Sequence, residues 1–78
     1  MITIYTVGSH NSVLNAVETT KTLRAAVTEV LTNHNRGRED VQMFSENLAY
    51  IQIGEDLMKV VLNEHSKEGE EFVSNLVF

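Results

Sequence analysis

A chain of 78 residues has room for one hydrophobic core, and its 42% of apolar residues are enough to form one. The absence of cysteine excludes disulfides, zinc–thiolate sites and thiol catalysis, and burial comes close to cancelling chain entropy at this length. The formal charge of −5 is unevenly spread: residues 1–38 give 4 − 2 = +2 and residues 39–78 give 2 − 9 = −7. With no covalent staple, self-association is the remaining stabiliser, so a homo-oligomer is expected. No run of about 18 apolar residues exists, and the N-terminus lacks a basic start and a cleavage site. The composition reads as a soluble, cytoplasmic, single-domain protein with no membrane contact.

Residues 1–7, MITIYTV, alternate and are rich in β-branched side chains, which predicts a strand. From Asn11 to His34 the apolar residues Val13, Ala16, Val17, Leu23, Ala26, Val27, Val30 and Leu31 recur at steps of three and four. That spacing predicts one long helix, with Asn15 and Glu18 at capping-box separation. The run Asn33–Gly37 offers residues that tolerate a left-handed backbone and so ends the helix.

Residues 39–65 admit two readings. Val41, Phe44, Leu48, Ile51, Met58 and Leu62 keep a fair helical period, which would make a helical hairpin with a short N-terminal strand. In shape that alternative resembles some phage-encoded sponges for cyclic oligonucleotides. Strands at 41–45, 48–53 and 57–63 are separated instead by Glu46–Asn47 and Gly54–Glu55–Asp56, and the second is a hairpin signal. A lone N-terminal strand needs a partner for its backbone groups, which favours strands. Residues 66–78 then close the chain as a short helix. The expected fold is α+β, in the order βαβββα, with a three- to four-stranded sheet packed on one long helix. Gly54 is expected to sit in a turn with positive φ, so that an alanine there would destabilise.

The turn Gly8, Ser9, His10, Asn11 and Ser12 is the best candidate ligand site. Between a strand and a helix, its free N–H groups and the positive helix end would favour a phosphate or nucleotide. Helix capping needs the same residues and no ligand. The opening ITIYT also resembles the first strand and helix of glutaredoxin-like proteins, over about the first quarter of the chain. The family's redox cysteines would fall near His10 and Val13, so the resemblance implies no thiol–disulfide activity here.

No catalytic set is found: there is no GxSxG, P-loop or HExxH pattern, and no Ser-His-Asp signature. No cofactor and no metal are expected. His10 and His34 would stand roughly 35 Å apart at opposite ends of the predicted helix, and His65 sits among ordinary solvated acids. Lys21, Arg24, His34, Arg36 and Arg38 make a thin basic cluster without interleaved aromatics, so direct nucleic-acid binding is not expected. Small acidic proteins with this profile resemble phage-encoded inhibitors of host enzymes or defence systems. That resemblance implies a non-enzymatic protein-binding module facing a partner with a basic surface. Glu39, Asp40, Glu46, Glu55 and Asp56 are the candidate partner-binding acids.

Overall fold

Ile2–Val7 forms a strand (β1) that hides side chains on both of its faces. Ile2 and Ile4 point into one core cluster, and Tyr5 and Val7 into another on the opposite side. Such a strand needs cover above and below and a neighbour on each edge. The computed structural model describes residues 1–54 and 58–78 and supplies all four. β1 lies between Val13–Thr19 (β2) and Lys59–Asn63 (β5), in an antiparallel sheet completed by Leu48–Gln52 (β4) and Val41–Phe44 (β3). The spatial order is β2-β1-β5-β4-β3, and every pairing is antiparallel.

The architecture is α+β, with five strands where three or four were expected. The extra strand comes from the segment predicted to be the first half of the helix. Val13–Thr19 runs beside β1, with Ile2 opposite Thr19 and Ile4 opposite Val17. The helix proper, Leu23–Asn33 (α1), is 11 residues long. Its cap is Thr22, whose Oγ1 accepts the Ala25 N–H at 3.2 Å, and not Asn15. Val13, Ala16 and Val17 match the helical period by coincidence. The period fails at Thr19–Thr22, where the Thr19 hydroxyl accepts the Lys21 N–H and bends the chain. The strand-then-helix opening implied by the glutaredoxin resemblance is therefore absent. A hairpin stands in its place.

The remaining elements follow the strand reading of residues 39–65, and the helical-hairpin alternative is excluded. Ser45 and Leu48 close the β3–β4 turn through the Ser45 N–H to the Leu48 carbonyl at 2.8 Å. The β4–β5 connection includes Glu55, Asp56 and Leu57, which lie outside the described residues. Residues 67–73 form a short helix (α2) capped by Ser66, whose hydroxyl accepts the Gly69 N–H at 2.9 Å.

Leu23, Ala26, Val27, Val30 and Leu31 of α1 are buried against Ile2, Ala49, Ile51, Val60 and Leu62. Each fully buried side chain of this kind contributes roughly 1.5–3 kcal/mol relative to an exposed one. The helix ends in a Schellman motif, with Asn35 in the left-handed region at φ 54 and the Arg36 N–H reaching the Leu31 carbonyl at 2.8 Å. α2 and the residues after it cover the other face, where Phe72 and Leu76 pack with Val7, Leu48, Val61 and Tyr50. The C-terminal segment then reaches the sheet edge. The Val13 N–H donates to the Val77 carbonyl, and the Val77 N–H to the Asn11 carbonyl.

Two glycines behave differently from one another. Gly54 does not take a positive φ, contrary to expectation, and a Cβ there would meet Met58 atoms at ordinary distances of 3.7 and 3.9 Å. Gly69 lies directly over the fully buried Asn63, and a Cβ would collide with the Asn63 carboxamide oxygen. That oxygen already accepts the His65 N–H at 3.0 Å. Gly69→Ala should therefore destabilise by about 1–3 kcal/mol as α2 is pushed off the sheet. Gly54→Ala should be neutral or stabilise by up to about 1 kcal/mol, because it stiffens the unfolded chain. Thermal melts check this pair of expectations: Gly69→Ala should melt below wild type and Gly54→Ala at or above it.

Candidate functional site

Gly8–Ser12 is the loop of the β1–β2 hairpin. The Gly8 N–H donates to the Ser12 carbonyl at 2.7 Å, and a single 3₁₀ turn spans Ser9–Asn11. His10 and Asn11 both take φ 59, a region that polar side chains of this type tolerate. The feature that made this turn attractive for phosphate was the N-terminus of a helix, and β2 occupies that place. His10 accordingly lies in a hairpin loop and His34 caps α1, so these two histidines do not mark the ends of one helix.

The acidic residues are redistributed as well. Glu39 and Asp40 sit in the 3₁₀ turn Arg38–Asp40 that leads into β3, at the end of the sheet where β4 finishes. Glu46 occupies the β3–β4 turn at the opposite end, about 13 Å away for a four-residue strand at about 3.3 Å per residue. Glu55 and Asp56 lie outside the described residues. What the fold does gather is a different set. Glu46 is beside Glu64, whose N–H donates to the Asn47 carbonyl, and α2 adds Glu68 and Glu70 at the same end. Glu18 of β2 is opposite Thr3, which is in turn opposite Asn63.

The basic cluster also divides. Lys21, just before α1, pairs with Glu29 past the middle of that helix, while Arg36 and Arg38 follow its far end. An 11-residue helix separates them by about 16 Å.

Two further arrangements draw residues from distant parts of the chain. At the acidic end, Thr3 Oγ1 lies 2.9 Å from His65 Nε2, and His65 Nδ1 lies 3.5 Å from Glu70 Oε1. This hydroxyl–imidazole–carboxylate order is the order of a nucleophilic relay. Thr3, however, is 8% exposed on a strand paired along both edges, where the backbone N–H groups serve β2 and β5. The arrangement ties the β5–α2 corner to β1.

At the other end of the same face, a cavity of about 110 Å³ opens between the sheet and α2. Val7 and Val61 form its floor, and Tyr50, Phe72 and Leu76 form its walls. The two rings meet edge to face, with centroids 5.5 Å apart. Asn11, Lys59 and Asn75 bring polar groups to its boundary. Of the predicted turn site, Asn11 is the residue that lines this cavity.

The outer edge of the sheet is the third feature. β2 is the longest strand at seven residues, yet it pairs with β1 alone along its length. Only its start is sealed, by the Ser12–Val77 bridge. Leu14 is 62% exposed and Val17 is 49% exposed. Glu18 is the strand's one charge, and no lysine or proline interrupts it.

Comparisons with known protein families, with curated proteins and with solved structures find no match to this chain. Among the described residues, no helix is long and apolar enough to cross a membrane.

The corner at His65 can be tested through its backbone. His65 takes φ 57, which costs a side chain with a Cβ about 1 kcal/mol and costs glycine little. His65→Gly should therefore retain about 1 kcal/mol more stability than His65→Ala, although both lose the ties to Thr3 and Glu70. Urea titration of the two variants measures that difference directly.

Proposed function

We propose that the protein is a non-enzymatic protein-binding module that occupies a partner's surface, in the manner of an inhibitor, through the open edge of β2. The observation that carries this reading is the unguarded length of that edge. Sheet proteins usually blunt an edge with a short strand, a lysine, a proline or a covering segment. β3, at the opposite edge, follows that rule with four residues and a bulge between Val41 and Met43. β2 has one irregularity, between Thr6 and Val7 in its register with β1, and the short Val77 seal. From Asn15 onward it offers a row of backbone donors and acceptors flanked by exposed apolar side chains, the arrangement that an added strand recognises.

The partner's chemistry follows from what lies beside the edge. Glu18 stands at the far end of β2, on the end of the sheet that also holds Glu46, Glu64, Glu68 and Glu70. An extended segment with basic residues at one end would pair with β2 and meet that acidic end. Charge would speed the encounter, and backbone pairing would hold the complex. Of the acids predicted from sequence, Glu46 belongs to this group, Glu39 and Asp40 lie at the opposite end of the sheet, and Glu55 and Asp56 lie outside the described residues.

Val17→Lys places a charge in the exposed half of β2 and should cost the fold only about 1 kcal/mol, since Val17 is already half exposed. Partner capture from a lysate with wild type and variant, each confirmed folded by circular dichroism, tests the proposal. Partners retained by wild type should be lost by Val17→Lys, and their association with wild type should slow as salt is raised. A partner that binds both proteins equally would remove β2 from the interface. Sedimentation of the 8.8 kDa chain alone identifies the case in which the added strand is a second copy of β2.

A further inference from the structure

The cavity under α2 has a chemistry of its own, separate from the open edge. Its floor and walls are apolar and aromatic, so a bound group there would shed water from a hydrocarbon body. Its volume of about 110 Å³ corresponds to about three or four waters, or a body of about four or five carbon atoms. Among the described residues, Lys59 is the one charged side chain on its boundary. Among the described residues no carboxylate pairs with Lys59, although the chain as a whole carries a net charge of −5. A half-buried lysine beside an apolar cavity can offer its ammonium to an anion that enters there. Asn11 can donate an amide N–H to the same anionic head, and Asn75 can add the one that remains beyond its bond to the Glu71 carbonyl.

We propose that this cavity binds a small monocarboxylate with a short branched aliphatic body. The carboxylate meets Lys59 and the two asparagines, and the body rests on Val7 and Val61 between Tyr50, Phe72 and Leu76. The site joins five parts of the chain: β1, the β1–β2 turn, β4, β5 and the segment that begins with α2.

The probes are 3-methylbutanoate, 3-methylbutanol and 3-methylbutylamine, which share one body and differ in the head group. Binding is followed by NMR shifts of the Val7, Val61 and Leu76 methyl groups in the full chain. The carboxylate should bind with a dissociation constant of about 1 mM or tighter, and at least about tenfold more tightly than the alcohol. Lys59→Met keeps the length of the side chain and should remove that preference. Asn75→Asp, at an exposed position, should weaken the carboxylate by a similar factor and provides the same test should Lys59→Met fail to fold. Equal binding of acid and alcohol would show an apolar cavity without head-group recognition and overturn the proposal. Stronger binding of the amine, or no shift at those methyl groups up to 50-fold above about 1 mM, would overturn it as well.

Discussion

The pairing of β1 with β5 is the constraint on which the other parts depend. It joins Thr3–Val7 to Asn63–Lys59 in an unbroken antiparallel register and places two apolar strands side by side in the middle of the sheet. Both strands bury side chains on two faces, so a single helix layer cannot complete the core. α1 covers one face with its five buried residues. α2 is too short to cover the other face by itself, and Leu76 extends the cover it begins with Phe72. The close seat of Gly69 on Asn63 sets how near α2 lies to β5, and the His65 contacts to Thr3 and Glu70 fix the corner from which it starts.

Much of this was legible in the chain. The strand character of Ile2–Val7, the turn at Glu46–Asn47 and the end of α1 around Asn35 follow from alternation, loop length and the residues that tolerate positive φ. The segment Val13–Thr19 was not legible as a strand. An edge strand exposed on both faces has no buried side to impose a period of two, and its valines fell by chance into phase with the helix that follows. The three threonines between Thr19 and Thr22 were the local signal of the break, and Thr22 was the true cap.

The sites were less legible than the fold, for a topological reason. The cavity is assembled from segments near residues 11, 50, 60 and 75, and no local spacing links them. The same holds for Thr3, His65 and Glu70, which meet because β1 and β5 are neighbours. Adjacent acids such as Glu39 and Asp40 drew attention in the sequence, while the acidic end of the sheet is built from turns and a helix that only the strand order brings together. Asn11 shows both sides of the problem. The sequence places it in a helix-opening turn, and it reaches the cavity from a hairpin loop.

The β1–β5 register also has a temporal meaning. β1 pairs with β2 across a loop of a few residues, but its other partner is more than fifty residues further along the chain. During synthesis from the N-terminus, the first hairpin can close while β5 is still to be made, leaving what becomes the centre of the sheet as a second open edge. Local pairing is fast, and closure across long sequence separation is slow. Until β5 arrives, the nascent chain presents an exposed apolar strand on each side, and α1 has only part of the surface on which it will finally pack. The interval before that last pairing is when this small protein is most open to aggregation.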